Sequence, residues 1–258
     1  MAQLNEIINY IEEFAPLYLQ GSYDNCGLKL GNRQQEITGI LVTLDTNYAV
    51  VEEAIKNNCN LIIEHHPTIF GGIKNLNYEL PLTQAMMLAI KNDIAIYSAH
   101  TNFDFCQGGL NDYVASIMGI EDAMPINNES SPRIGNLKEE TTLSQYAEFL
   151  KELFNDNNVC TIGDLNKRIK RVAVVNGGGG GHDGDMLATM RAGADVFVTG
   201  DVKYNVARLA KDAGYAIIQV GHYNSEMKPF LTLMSKILRE KYNEVNIIES
   251  TSLANPYN

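Results

Sequence analysis

Leu61-Ile62-Ile63-Glu64-His65-His66-Pro67 joins a run of apolar, β-branched residues to two histidines and a proline. A short apolar run reads as a buried strand, and the residue before a proline leaves the helical region, so the strand is predicted to end in a turn carrying His65 and His66. Adjacent side chains on a strand point to opposite faces, but at a turn the pair can splay toward two ions. Two further runs end in a similar way, Ile94-Ala-Ile-Tyr-Ser-Ala-His100-Thr-Asn-Phe-Asp104 and Ala216-Ile-Ile-Gln-Val-Gly-His222-Tyr-Asn-Ser-Glu226. In both, a carboxylate follows the histidine by four residues. Four of the five histidines therefore stand at the ends of hydrophobic runs, and only His182 falls elsewhere, in a glycine loop.

Neutral imidazole and carboxylate suit zinc, ferrous iron, manganese or cobalt, and the sequence alone does not choose among them. His65, His66, Asp104, His222 and Glu226 supply five such ligands, more than one open catalytic ion needs. With a helix starting at Asn224, Glu226 lies in its first turn, near the strand-end His222. A carboxylate has two oxygens, so Glu226 or Asp104 can bridge two cations held ~3.5–4 Å apart and sharing a water nucleophile. Hydrolysis is the default chemistry of such a pair. Taken singly, each histidine is explained as well by a hydrogen-bonded core or loop role; the coincidence of four favours two divalent ions.

The chain also repeats itself. Ile55 to His66 aligns without a gap on Met190 to Asp201, and Ile90 to His100 on Asp212 to His222, each stretch reading as helix end, small turn, apolar strand and polar terminus. His100 then matches His222 and Asp104 matches Glu226. Asp201 takes the place of His66, either backing the metal ligands or, as the preferred reading, capping a helix before Lys203. Two related α/β lobes are predicted, with mixed sheets, helices on their faces and the dinuclear site in the cleft between them. Lobe 1 is placed at residues 1–120, open to completion by the C-terminal segment 221–258, a connector at 121–140 and lobe 2 at 141–258.

The local reading follows apolar spacing. Leu4, Ile7, Ile8 and Ile11 predict a helix closed by Pro16, and the Gly21 to Gly31 stretch reads as a loop. The first strand is expected at Ile37–Leu44, with helices at 49–56, 82–91 and 110–118 alternating with strands that end at His66 and Asp104. A polar stretch, Glu121 to Glu140, reads as the connector. The second lobe is given a helix at 143–154, strands at 172–175, 196–199 and 216–220, a closing helix at 228–241 and a last strand at 244–249.

At 258 residues and 45% hydrophobic, the chain can bury a substantial core. Its formal charge of −11 disfavours nonspecific binding to nucleic acid or an anionic membrane. The single basic cluster, Lys167-Arg-Ile-Lys-Arg171, reads as a solvated loop leading into a strand. Four cysteines without Cys-x-x-Cys spacing suit free thiols in a reducing cytoplasm. The start does not read as a signal peptide, and no apolar stretch approaches the ~20 residues of a membrane span. The glycine loop from Asn176 to Asp185, between a strand and a helix, reads either as an anion nest for a phosphate-bearing ligand or as a flexible connection, with His182 and Asp183 as further acid–base candidates.

Glu64-His-His-Pro67, His100-Thr-Asn-Phe-Asp104, Thr199-Gly-Asp-Val-Lys-Tyr204 and Gly221-His-Tyr-Asn-Ser-Glu226, with Asp24-Asn25 and Gly27-Leu28 before them, resemble the Nif-three-like dinuclear-metal family, also labelled GTP cyclohydrolase I type 2 homologues. The resemblance implies two-lobed subunits in a homo-hexameric ring. It implies that His66 and Asp104 hold one ion, His65 and His222 the other, that Glu226 bridges them and that His100 carries protons. Asn205 departs from the histidine common after Lys-Tyr, Phe103 departs from a common leucine, and a chain this short matches the form without an inserted domain.

The expected function is a cytoplasmic metal-dependent hydrolase with His100 and Glu226 catalytic. Its substrate is a phosphorylated small molecule, by resemblance GTP, opened to formate and 7,8-dihydroneopterin triphosphate. The competing expectations are a phosphoester hydrolase and a metal-stabilised hexameric scaffold or regulatory protein that binds a partner protein or, against its charge, nucleic acid.

Overall fold

The computed structural model describes residues 2–128 and 132–257. In chain order its elements are α1 (Leu4–Phe14), β1 (Gly27–Leu30), β2 (Gly39–Thr43), α2 (Tyr48–Lys56), β3 (Leu61–Glu64), α3 (Pro81–Lys91), β4 (Ala95–Ser98), α4 (Thr101–Phe105), α5 (Leu110–Ile117), β5 (Ile120–Pro125) and β6 (Arg133–Thr142). They continue with α6 (Leu143–Phe154), β7 (Cys160–Ile162), β8 (Arg168–Val175), α7 (Asp183–Arg191), β9 (Val196–Thr199), α8 (Tyr204–Asp212), β10 (Ala216–Gln219), α9 (His222–Lys241) and β11 (Asn246–Glu249). The architecture is mixed α/β with two mixed sheets. It divides into one unit of Met1–Cys106 with Phe230–Asn258 and a second of Gln107–Pro229.

The first unit holds a sheet in the order β1-β4-β3-β2-β11, parallel except for β1. Every residue of β2, β3 and β4 is buried, as expected of parallel strands covered on both faces. Leu41, Ile62 and Ile96 pack with Val50, Val51 and Ala54 of α2 and Ala85 and Ala89 of α3. Helix α1 buries Leu4, Ile7, Ile8 and Ile11 and begins with a reciprocal cap between Gln3 and Glu6.

The second unit holds a sheet in the order β5-β6-β8-β9-β10-β7, parallel only at its centre, β8-β9-β10. Phe197 and Ile217 pack there with Met186 of α7 and Val206 and Ala210 of α8. Both units thus contain a three-stranded parallel core of the same order, β2-β3-β4 and β8-β9-β10, with α2 and α3 or α7 and α8 between the strands. The four helix-to-strand turns share one device. The second residue past each helix is left-handed, Asn58 (φ 55°), Asp93 (φ 53°), Gly193 (φ 79°) and Gly214 (φ 63°), which closes the helix and turns the chain back.

These elements adjust the sequence superposition. Leu61–Glu64 and Val196–Thr199 fall in the predicted register, but Lys91, not Ile90, is the helix-end counterpart of Asp212. His100 therefore corresponds to Gly221, and His222 to Thr101. The closing helix starts at His222, earlier than either expected start, and contains Pro229. Asp104 lies on the short helix α4 instead of ending a strand.

The 121–140 stretch is not a connector within its described part, because β5 and β6 are antiparallel strands of the second sheet; residues 129–131 lie outside the described residues. Its polar composition belongs to strands with exposed positions such as Glu121, Asp122, Lys138 and Glu139. The second unit accordingly begins at Gln107 and ends at Pro229, not at 141 and 258. The basic run is likewise mostly strand: β8 starts at Arg168, which pairs with Glu140, while the Lys170 ammonium donates to the Lys138 carbonyl at 2.9 Å. Strand β1 was hidden by its length of four residues and its opening glycine. Cys26, Cys59 and Cys106 are buried free thiols and Cys160 an exposed one. Among the described residues no helix is long and apolar enough to cross a membrane.

The C-terminal segment is clasped by a single carboxylate. Glu53 of α2 accepts from Ser250 Oγ at 2.6 Å, Thr251 N at 2.9 Å, Thr251 Oγ1 at 2.8 Å and Ser252 N at 3.2 Å. Burial raises its pKa, but these bonds outweigh that and lower it. A depressed carboxylate stabilises the fold above its unfolded pKa of ~4.3 and loses that contribution as pH falls through the folded value. Glu53→Ala is expected to cost about 1–2 kcal/mol at pH 7 in urea unfolding, with the gap to wild type closing as the pH is taken below 4.

Candidate metal centre

In the first unit the parallel strands stop at one level, Thr43, Glu64 and Ser98 lying side by side. The residues just beyond them form the site. His65 and His66 follow β3, His100 stands at the residue before α4, after β4, and Asp45 follows β2. Residues past the carboxyl ends of parallel strands are where α/β sheets place their ligands. Pro67 and Thr68 complete the turn after His66, and it is fixed from below by Glu64. That fully buried carboxylate accepts from Thr68 N at 2.6 Å, from the Thr68 hydroxyl and from Ser98 Oγ at 2.7 Å. Burial raises its pKa against the lowering effect of these donors.

The three imidazoles of this unit converge. Ring centroids lie 5.1 Å apart for His65 and His66, 5.0 Å for His65 and His100 and 5.5 Å for His66 and His100. One ligand atom from each lies within 4.8 Å of the others. Each ring is held through Nδ1, His65 to the Ala99 carbonyl at 2.8 Å, His66 to Asp45 Oδ1 at 2.9 Å and His100 to Asp24 Oδ1 at 2.8 Å. A carbonyl or ionised carboxylate only accepts, so Nδ1 carries a proton, and in the neutral ring the lone pair is then left on Nε2. Histidines that bind metals are oriented in this manner. His65 Nε2 stands 3.6 Å from Asp104 Oδ1, and the His65 ring packs on Phe230 at 4.8 Å.

Asp24 has no exposed side-chain surface. Burial alone would raise its pKa, but hydrogen bonds from His100, Thr101 and Cys26 hold it far below the usual carboxylate range. It is therefore a fixed negative charge behind His100.

The second unit carries the remaining pair. His222 and Glu226 stand one turn apart at the start of α9, with Nε2 to Oε2 at 3.1 Å. His222 Nδ1 donates to Asp201 Oδ2 at 2.7 Å. Burial would lower the His222 pKa, but bonding to Asp201 and Glu226 reverses this and raises it to about 11. The position is thus built for positive charge. Asp201 backs His222 and is not a helix cap: α8 begins after Lys203 with no side-chain cap.

The glycine run explains itself here. Gly177 is left-handed (φ 59°), and a Cβ on it would fall 2.3 Å from Glu226 Oε1 and 3.0 Å from His222 Nε2. A Cβ on Gly179 would strike Val175 at 2.0 Å, and one on Gly180 the Asp201 carbonyl at 2.2 Å. The run is a close-packed backbone passage beside the ligand pair, not a loose connection. It also makes a poor phosphate nest. The Gly181 amide donates to Gly178 O, the Gly184 amide to the His182 ring, and α7 opens with Asp183 and Asp185. His182 is thereby a helix cap.

All six sequence-predicted site residues lie in these two sets, His65, His66, His100 and Asp104 in the first unit and His222 and Glu226 in the second. The donor chemistry fits divalent ions: oriented imidazoles beside carboxylates, with no thiol among them. Asp45 and Gly177 were missed. Asp45 stands just past an apolar strand, the same signal that exposed His100 and His222, and was passed over because no histidine accompanies it. Of the two departures noted, Phe103 is buried against Phe14 and Phe230 at 5.8 and 5.5 Å, and Asn205 is exposed on α8.

Comparison with known proteins agrees with the fold. The family model Duf34/NIF3 (NGG1p interacting factor 3) matches residues 2–256. A Clostridium perfringens protein named GTP cyclohydrolase 1 type 2 homolog is 36% identical over 99% of this chain and 98% of its own length. A Bacillus subtilis protein of the same name is 26% identical in an alignment of 365 residues that covers 98% of this chain and 97% of the relative, so that relative is the longer protein. Among solved structures, a Staphylococcus aureus hypothetical protein superposes with a TM-score of 0.90 at 27% identity, covering 99% of this chain and 98% of that one. A Bacillus cereus protein related to NIF3 gives 0.92 at 24% identity, covering 100% and 99%. The chain belongs to the Duf34/NIF3 family.

The close approach at Gly177 is testable without any ligand. Gly177→Ala forces both a left-handed alanine and a shift of Glu226, and is expected to lower stability by about 1–3 kcal/mol. Gly178→Ala, where an added Cβ meets nothing within 4 Å, should leave the urea midpoint nearly unchanged.

Proposed function

We propose that this chain is a hydrolase dependent on two divalent ions, held by His65, His66, Asp104, His222 and Glu226. The observation that carries the reading is the tautomeric order of the histidines. Four imidazoles, each with Nδ1 committed to an oxygen, turn four Nε2 atoms toward neighbouring rings and carboxylates. When bound, the ions would lower the pKa of a water molecule and polarise the electrophilic carbon or phosphorus of the substrate.

The protein's own groups supply the rest. His100, oriented by Asp24, offers Nε2 as the acceptor for the proton of the attacking water and returns it to the leaving group. Asp45 and Asp201 hold His66 and His222 in the ligating tautomer. The name carried by the relatives points to GTP ring opening, which yields formate and 7,8-dihydroneopterin triphosphate, as the reaction to test first.

His100 has a second reading, favoured by its place within 4.8 Å of the His65 and His66 ligand atoms: a third imidazole ligand. Metal analysis separates the two. His100→Ala should keep the wild-type ion content and lose turnover if the residue moves protons, and should lose an ion if it ligates.

Two measurements on protein purified without added metal test the main proposal, ions per subunit and formate release from GTP. Two ions, with formate lost in Glu226→Gln and the solution mass unchanged, would support the cyclohydrolase. Two ions without formate would leave a hydrolase of another phosphorylated substrate, and a fall in the solution mass of Glu226→Gln would favour a metal-stabilised scaffold. No ion under any loading would overturn the proposal. Asp201→Asn, which leaves the ligands in place, is expected to weaken metal affinity about 10- to 100-fold.

A further inference from the structure

Beside His66 the first unit contains a cavity of about 370 Å³, walled by Pro67, Ile69, Phe70, Ile73 and Leu82, with Asp45 at its polar side. This volume lies in the range of small-molecule sites, which pair mainly apolar walls with a few placed polar groups. Pro67, Ile69, Phe70 and Ile73 come from residues 65–80, a connection without helix or strand between β3 and α3, and Leu82 comes from the first turn of α3. Structureless connections of this length are uncommon inside a compact unit and are either functional loops or linkers. Phe70, Ile73 and Leu82 are 52%, 37% and 41% exposed, so they contribute little to the core and gain from a ligand that covers them. Phe70 also stands edge-on to His100, with centroids 6.3 Å apart at 75°. The cavity therefore abuts the histidine cluster.

We propose that this cavity seats a flat nitrogen heterocycle of the substrate, its ring against Phe70 between Ile73 and Leu82, and an N–H of the ring or its amino group donating to Asp45. One Asp45 oxygen takes the His66 proton, and the carboxylate is still 48% exposed, leaving its second oxygen for such a donor. The alternatives fit less well. Inorganic phosphate has no apolar face for Phe70, ribose offers only a narrow C–H edge in place of a flat ring, and an alkyl chain would set hydrocarbon against a carboxylate oxygen. The inference rests on the proposed function to the extent that a reacting centre at the histidines makes this ligand a substrate.

The test is direct binding to the full chain, loaded with divalent metal, by titration calorimetry with guanosine, adenosine and ribose as probes. The two nucleosides should bind and ribose should not. Phe70→Ala should weaken nucleoside binding by about 5- to 150-fold, the range of base–aromatic stacking. Phe70→Tyr, which keeps the ring, should stay within about 3-fold and guards against a mere folding defect. Unchanged nucleoside affinity in Phe70→Ala, or ribose binding as well as the nucleosides, would overturn the proposal. So would Phe70→Ala altering only the oligomer mass by light scattering, because the apolar walls would then be covered by a second copy of the chain. Metal analysis on the same samples keeps the two readings apart: Phe70-dependent nucleoside binding without bound metal would uphold the seat and sink the dinuclear centre.

Discussion

The arrangement of the site depends on one interaction, the hydrogen bond from an imidazole Nδ1 to an oxygen that can only accept. His65 makes it to a backbone carbonyl, and His66, His100 and His222 make it to Asp45, Asp24 and Asp201. Each bond chooses the tautomer, fixes the ring plane and increases the basicity of the opposite nitrogen. The oxygens are themselves fixed because they sit at or just beyond strand ends. Asp45 follows β2, Ala99 follows β4 and Asp201 follows β9, so the sheets that carry the histidines also carry the groups that orient them. Asp24 is the exception. It comes from the segment before β1 and is held by donors from Asn25, Cys26 and Thr101.

Placing charged side chains at strand ends requires the backbone to come close without side chains in the way. At Gly177 the main chain passes within contact of Glu226 and His222, and at Gly200 a Cβ would meet the Gly177 carbonyl at 2.5 Å and the His222 Cα at 2.9 Å. Gly221, left-handed at φ 80°, turns the chain out of β10 and into α9. Gly177 and Gly200, from two separate loops, thus make the space in which His222 and Glu226 face each other, and Gly221 sets the turn that brings them there. The glycine-rich loop is in this sense a packing solution, and two of the amides in this stretch, Gly181 and Gly184, are spent on Gly178 O and the His182 ring.

How much of this was legible follows from where each signal is local. The parallel cores were, because strands buried on both faces are written as uninterrupted apolar runs such as Leu61–Ile63 and Ala216–Ile218. The four histidines were, because an imidazole at the end of such a run is conspicuous. The repeat was legible as a pattern but slipped by one residue in its second part, where Asp93 and Gly214 turn the chain alike with different residues. Strands β5 and β6 were not legible. An antiparallel pair with exposed positions spends its polar residues outside, and that composition cannot be told from a loop without the partner strand. The backing carboxylates were only partly legible: Asp201 reads in sequence either as a backing group or, by preference, as a helix cap, and the position of His222, 21 residues later, decides for the first.

Electrostatics ties the site to its expected occupant. Glu226 is 2% and Asp104 8% exposed, and burying carboxylates at such depth is costly unless positive charge is supplied nearby. In the second unit that charge is a proton: His222 lies between Asp201 and Glu226, and together they lift its pKa to about 11. A single proton shared between an imidazole and two carboxylates neutralises only part of the negative charge, whereas a divalent ion on the same Nε2 and carboxylate oxygens would neutralise more and release the proton. The first unit has the same composition, with three rings backed by Asp45, Asp24 and a carbonyl and with Asp104 facing His65. The overall charge of −11 adds a general attraction for cations, but it is screened over about 10 Å at ordinary salt. The specific attraction comes from these few carboxylates, held at short range by hydrogen bonds that do not depend on the ion.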